Sequence, residues 1–512
     1  QSKFAINFET VKMEVKEGEE TASKGKEEIV VIGDVSKNGC CSSLRFEGVG
    51  TAKGYNWLGI GRGGVVMSNI FLSTSLIYLA SQEAGCFDYE EDKVTQDCDT
   101  RVYGMLPVAL ISNIAVISGL ISAFCMPVIG GIIDCTPNRT KVGVVASVLL
   151  GIVQTIQIGT VSSTWFAMAI LQALAGFLYQ GHVMSVMSFL PSIARRVGEK
   201  SVIGFTATWA MTQFLGQATF LLLVILTSII LKTNNAVTAQ ISQGINVGWI
   251  TVMFTLGWRL FPWKVPINRE LPEGQSLWTE GFRQNWRTIT GLFHPESKTL
   301  RYYFLALVFA EAATNTFTTV APTYLIEALG MGSTEVGIFF LVTLLCSVPG
   351  SLFATFFTRR TNPNLSWRLS MLSLAIAGNA GAFLLDTIQV GWAAYIWGAC
   401  VGFCLGWFYP TENCFFSLIV PSKQEAEMSG FYVYSSQILG WLPPLFFSLM
   451  VENGLNQKWG ILVITGFHLI AIGFCCMQAS WKELISEKEA LESTKNETRD
   501  VEENADYSEG VR

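Results

Sequence analysis

The chain has 512 residues, half of them hydrophobic and only 14% charged, with a formal net charge of −6. Soluble domains run near one quarter charged, and a single water-soluble core does not grow to this length. A one-domain soluble protein is therefore excluded, and a polytopic membrane protein is the class that remains.

In chain order, residues 1–55 read as a disordered tail with charged blocks at Lys16–Glu20 and Lys24–Glu28. They hold no apolar segment of the kind that marks a cleavable signal peptide. A membrane span takes about 20 apolar residues. On that basis twelve spans are predicted, near 62–82, 104–133, 142–161, 164–190, 202–231, 245–262, 302–329, 335–357, 368–386, 390–419, 428–450 and 459–480. The polar linker 263–301 divides them six and six, giving bundles over 56–262 and 302–480. An acidic tail, 481–512, follows and is expected to start as a helix.

Lys and Arg in short loops set orientation. Loops on the side of Gly130–Gly143 carry sixteen, and those on the opposite side carry four, Lys93, Arg101, Lys232 and Lys458. Both tails and the linker are thus expected in the cytosol. Cys86 and Cys98 share the loop between the first two spans, on the non-cytosolic side, where a disulfide between them is expected.

Between the second and third spans runs GGIIDCTPNRTKVG, a tight turn at Thr136-Pro137-Asn138 with Gly130, Gly131, one acid (Asp134) and two cations (Arg139, Lys141). It reads as a conformational hinge at the aqueous face. A Pro-Asn turn flanked by cations recurs roughly 225 residues later, at Asn362-Pro363-Asn364 with Arg359, Arg360 and Arg368, but without the acid. Asp134 is expected to pair at the start of the eleventh span, near Lys423 and its free backbone N–H groups.

Six plus six spans about a long central loop is the layout of the major facilitator superfamily, whose halves are repeats, and the glycine–acid–cation hinge is similar to that superfamily's loop between helices 2 and 3. The second half resembles the autophagy-related vacuolar amino-acid effluxers and their bacterial and protist relatives. The residues that carry this are FLALVFAEAATNTFTTVAPTYL around Glu311, the Pro-containing end of the tenth span, and Glu425-Ala426-Glu427, Gly430 and Tyr432 opening the eleventh. The resemblance covers about residues 104–480. It implies an all-α fold of twelve transmembrane helices in two pseudo-repeats. It also implies a secondary transporter that moves neutral amino acids out of a vacuole-like compartment. The first span, GYNWLGIGRGGVVMSNIF, departs from that branch's pattern. Thr411-Glu412-Asn413 stands where relatives often carry Ser-Arg-Ser.

Charges and amides inside the bilayer are expensive, which makes them functional candidates. Glu311 lies about three turns into the seventh span, with Asn315 one turn on along the same face. Glu412 and Asn413 lie roughly two turns from the cytosolic end of the tenth. These four are candidates for substrate or proton coupling, joined by Tyr432 and Gln437, by Gln180 and His182, by Gln213 and Gln217, and by Asn69 with Ser73. Arg62 reads as a residue snorkelling at the membrane edge, and Trp407 and Tyr409 as possible cavity walls.

Enzymatic readings find little support. The three His are widely spread, and GIGRGG at 59–64 is not preceded by a strand, so it is no phosphate-binding loop. No metal, cofactor or nucleic-acid partner is expected. The partners expected are a small-molecule substrate, the lipid bilayer and protons. A permease for a sugar, nucleoside or organic cation stays open, as does a non-transporting ligand sensor on the same fold. A vacuolar or lysosome-like membrane is the expected location, with the plasma membrane as the other choice.

Overall fold

The computed structural model describes residues 50–88, 93–94, 100–190, 192–193, 199–265, 271, 276–388, 391–420, 425–478 and 480–486. In chain order the helices are α1 (Gly50–Glu83), α2 (Leu110–Cys135), α3 (Arg139–Gln157), α4 (Trp165–Met187), α5 (Glu199–Leu231), α6 (Asn235–Trp258) and α7 (Leu277–Leu292). They continue with α8 (Lys298–Glu327), α9 (Ser333–Arg360), α10 (Pro363–Ile388), α11 (Gly391–Ile419), α12 (Glu425–Ile438), α13 (Leu442–Glu452) and α14 (Gln457–Cys476). A two-stranded ribbon, β1 (Phe87–Asp88) against β2 (Lys93–Val94), sits in the loop after α1.

Ten described helices are long and apolar enough to cross a membrane. Two spans expected from the sequence fall outside that set for physical reasons. One is α6, whose 24 residues include the buried amides Gln243 and Asn246. The other is the eleventh, expected as one helix over 428–450 but broken into α12 and α13. Pro443 and Pro444 have no N–H to offer the carbonyls of Leu439 and Gly440, which an unbroken helix would require. The Leu439 carbonyl accepts instead from the Leu442 N–H at 2.9 Å, a tighter turn that ends the first piece.

Three further boundaries differ from the sequence reading. The first span starts at Gly50, not near 62, because a stretch rich in Gly, Tyr, Asn and Trp is helical here and buried on nearly every side. The linker is not continuous loop, since it contains α7. The sixth span begins at Asn235, ten residues before the expected 245, where Asn234 caps it by accepting from the Val237 N–H at 2.9 Å.

The helices of residues 50–258 pack around α1, which lies against both α5 and α6. Small residues allow the approach: a Cβ on Gly64 would stand 2.6 Å from the Asn246 amide oxygen and from the Trp249 ring. In the second half the tightest pair is α9 with α11. There, a Cβ on Gly402 or Gly406 would stand 2.0 Å from the carbonyl oxygen of Thr343 or Ser347. Ser347 and Ser351 exploit that closeness, donating across to the carbonyls of Gly402 at 2.9 Å and Gly406 at 3.1 Å.

α5 and α6 form a hairpin with a three-residue turn, Lys232 to Asn234. The hydroxyls of Ser228, Thr233 and Thr238 close a triangle across it with sides of 2.8, 2.9 and 2.8 Å. Across the two halves, α5 packs on α9 and α11, and α2 packs on α12 and α13.

Candidate functional site

Between the halves lies a cavity of about 430 Å³. From the first half, α1 contributes Arg62, Asn69 and Ser73, α4 contributes Gln172, Tyr179 and Gln180, and α5 contributes Trp209, Gln213 and Gln217. From the second, α8 contributes Glu311 and Asn315, α11 contributes Tyr409 and Asn413, and α12 contributes Tyr432 and Gln437. The break after α12 adds Gly440, and α13 adds Pro444. Ile70, Ile114, Phe340, Leu344 and Leu405 supply apolar surface.

Of the residues singled out from the sequence, Glu311, Asn315, Asn413, Tyr432, Gln437, Gln180, Gln213, Gln217, Asn69 and Ser73 therefore come together on one cavity. Asn315 Nδ2 donates to Glu311 Oε2 at 2.9 Å, the i, i+4 pairing along α8. Glu412 is not on the wall. It is fully buried behind Tyr432, whose hydroxyl donates to its Oε1 at 2.5 Å and whose ring stacks on Phe416. Glu412 and Glu311 interact electrostatically, and of the two acids only Glu311 faces the cavity.

His182 and Trp407 are elsewhere. His182 is buried between α3, α4 and α6, its Nδ1 2.8 Å from the Ser147 hydroxyl and its ring stacked on Phe254. Trp407 donates its indole N–H to Ser366 Oγ at 2.9 Å, within the second half.

Arg62 was missed as a site residue. It is no snorkelling residue at the membrane edge: it is only 7% exposed and lies twelve positions past the start of α1, which is roughly 18 Å of helical rise. Its guanidinium stands over the rings of Tyr179 and Trp209, 5.6 and 5.7 Å from their centroids. One Nη2 contact reaches the Tyr179 hydroxyl at 3.5 Å, while Nε and Nη1 have no hydrogen-bond partner. It is close enough to act electrostatically on Glu311. The flanking glycines at 59, 61, 63 and 64 were the available signal, because a glycine-rich helix face meets other helices, not lipid.

Above and below, the halves touch. Toward the hinge end, Thr206 Oγ1 donates to the Pro410 carbonyl at 3.1 Å. Toward the other end, Ser448 Oγ lies 2.8 Å from Asn113 Oδ1, and the Leu106 N–H donates to Glu452 Oε1 at 3.0 Å beside an Arg101–Glu452 ion pair of 2.8 Å. Cys86 is disulfide-bonded, and Cys98, its expected partner, lies outside the described residues.

At the hinge, Gly131 packs against Gly281 of α7, and Gly130 against Met184. Buried Asp134 accepts from Gln284 Nε2 of α7 at 3.1 Å and also sits beside Gly430 near the start of α12. The expected neighbour Lys423 lies outside the described residues, and the contact with the linker was not anticipated. Arg139 is buried, donating to the Ser188 carbonyl at 3.2 Å and lying over Phe189, whereas Lys141 is exposed. Among the described residues, no group of three or more His, Cys, Asp and Glu is placed to hold a metal ion.

Several solved structures share this fold. The human organic anion transporter MFSD10 (TETRAN) superposes with a TM-score of 0.56 at 11% identity, covering 83% of this chain and 98% of its own. The major facilitator superfamily proton:xylose symporter XylE gives 0.56 at 14%, covering 85% and 98%. The E. coli fucose:proton symporter FucP gives 0.54 at 14%, covering 84% and 98%. At such identities the likeness speaks for the fold. No curated protein matches the chain. A family model described as "Vacuole effluxer Atg22 like" matches residues 51–482. The chain is thus a multi-pass membrane transporter of the major facilitator fold, and it belongs to the Atg22-like vacuole effluxer family.

Proposed function

We propose that this protein carries neutral amino acids across the membrane by alternating access, moving them from a vacuole-like compartment into the cytosol. The observation that supports this reading most is the placement of Arg62. A buried guanidinium with two unpartnered nitrogens calls for an anion. A free amino acid brings a carboxylate for Arg62, an ammonium group for Glu311 on the facing wall, and a side chain for the apolar lining. A cavity of about 430 Å³ is of the size that encloses a small ligand. The family's description as vacuole effluxers supports the direction, and the Lys and Arg bias of the loops supports both termini being cytosolic.

Proton coupling rests on the acid pair. Two buried carboxyls that interact across a low-dielectric site cannot both be ionised cheaply, so they hold one proton between them. Arrival of an ammonium group at Glu311 favours its release toward Glu412, away from the cavity. The second half then rocks against the first around the bound substrate.

Reconstitution into liposomes tests this, with labelled neutral amino acids, sugars, nucleosides and quaternary amines offered with and without a pH gradient. Amino-acid uptake driven by the gradient is expected, and Glu311→Gln should abolish the drive and weaken amino-acid exchange, since Glu311 also meets the ammonium group. Gradient-driven uptake that persists in Glu311→Gln would remove the acid pair from the coupling. Uptake of a quaternary amine without amino-acid uptake would replace the substrate assignment with an organic cation. Ligand-dependent thermal stabilisation with no transport of any solute would identify a sensor.

A further inference from the structure

The linker helix α7 has two faces with different obligations. Its inner face is fastened to the last two turns of α2. Gly281 lies so close to α2 that a Cβ there would stand 1.8 Å from the Pro127 carbonyl oxygen, and Gln284 holds Asp134 at 3.1 Å. Fully buried Glu280 on the same face pairs with Arg287 at 3.1 Å. The outer face carries Trp278, Phe282 and Trp286, one helical turn apart, with Phe293 just beyond the end. These are exposed by 71, 46, 67 and 63%.

Three large aromatics in one stripe on a 16-residue helix, with a fourth at its C-cap, mark an interaction surface. Depth and charge say what covers it. α2 is 26 residues, roughly 39 Å of rise against a hydrocarbon core of about 30 Å, so its last turn, where Asp134 meets Gln284 of α7, stands at the headgroup level. Tryptophan is enriched at that level, and amphipathic helices lie there with their aromatic face inward. Exposed Arg283 sits beside the stripe, and the stretch from Arg259 to Arg301 holds seven Lys and Arg against four Glu. A soluble protein partner would not require this depth.

We propose that α7 is a membrane-surface latch: its aromatic stripe and Arg283 bind anionic lipid headgroups, and its inner face thereby restrains the hinge end of α2. The surface lipid then regulates how freely the two halves move, since α2 packs across the halves on α12 and α13. The reading stands apart from the identity of the transported solute.

Hydrogen exchange of residues 277–293 in the full chain tests it, in detergent, in phosphatidylcholine vesicles and in vesicles containing phosphatidylserine, with α8 as the internal control. Exchange is expected to be slower in vesicles than in detergent. It should slow by about a further fivefold with phosphatidylserine, the worth of one arginine near an anionic surface. The double variant Trp278→Gln, Trp286→Gln should exchange as fast in vesicles as in detergent, and Arg283→Gln should lose only the phosphatidylserine effect, with α8 unchanged in each. Equal exchange in detergent and both vesicles, or full protection in the double variant, would overturn the proposal. So would protection that appears only when a soluble protein fraction is added, because the occupant would then be a protein.

Discussion

The helices of the first half, α1–α6, offer the cavity one guanidinium among amides, Arg62 with Asn69, Gln180, Gln213 and Gln217; those of the second half, α8–α14, offer a carboxyl among amides and phenols, Glu311 with Asn315, Asn413, Tyr409 and Tyr432. The two walls also differ in how far their charges are satisfied. Glu311 has Asn315 at 2.9 Å, whereas two nitrogens of Arg62 have no hydrogen-bond partner. A wall whose charge is already engaged is prepared to exchange partners; a wall whose charge is not is prepared to receive one. The same asymmetry runs through the packing. Gly59, Gly61 and Gly64 of α1 face side chains that can turn aside, while Gly402 and Gly406 of α11 face backbone that cannot.

Changes at Arg62 should break this comparison hardest. Arg62→Gln is expected to lower amino-acid uptake by roughly ten- to hundredfold, the worth of a charge-assisted hydrogen bond of about 1.5–3 kcal/mol, read as kcat/KM in liposomes. Next comes Gly402→Leu, which drives a side chain into the Thr343 carbonyl and should destabilise the α9–α11 pair by about 1–3 kcal/mol, read as a fall in Tm in detergent. Asn315→Ala removes a neutral partner of Glu311 and should cost about 0.5–1.5 kcal/mol, a roughly two- to tenfold loss in uptake. Arg101→Gln should matter least, because Arg101 is half-exposed and surface pairs contribute about 0–1 kcal/mol; its effect belongs in substrate affinity on one side of the membrane. If Arg62→Gln and Asn315→Ala had equal effects, the two walls would not differ as described.

Much of the fold was legible because long apolar runs have one use in a chain of this composition. Most of the cavity residues were legible for the related reason that Glu311, Asn69 or Gln213 in hydrocarbon needs an explanation. What escaped was the start of α1. Glycine, tyrosine and tryptophan between 50 and 61 dilute hydropathy, so the pattern puts Arg62 at an edge, whereas it stands well inside a buried helix. The break between α12 and α13 escaped although Pro443-Pro444 was in view, since proline is tolerated in many spans and only the tertiary setting selects a break. The grip of α7 on Asp134 is a contact between residues 150 positions apart, which no local pattern encodes.

The hydroxyl-tied hairpin of α5 and α6 bears on how the protein is made. By composition α6 has a weak claim on the membrane, whereas α5, with a mean hydropathy of 2.3 in its apolar window, has one of the strongest. Insertion depends on the summed transfer cost of what enters, and a turn of only three residues leaves the two helices little freedom to enter apart. The amides of α6 therefore cross as cargo of α5, with the Ser228, Thr233 and Thr238 hydroxyls satisfying one another at the turn. Gln154 of α3, already in place, then receives Asn246. A helix with a weak claim on the membrane thereby reaches a place where Gln240 and Gln243 donate to backbone carbonyls and Asn246 donates to Gln154.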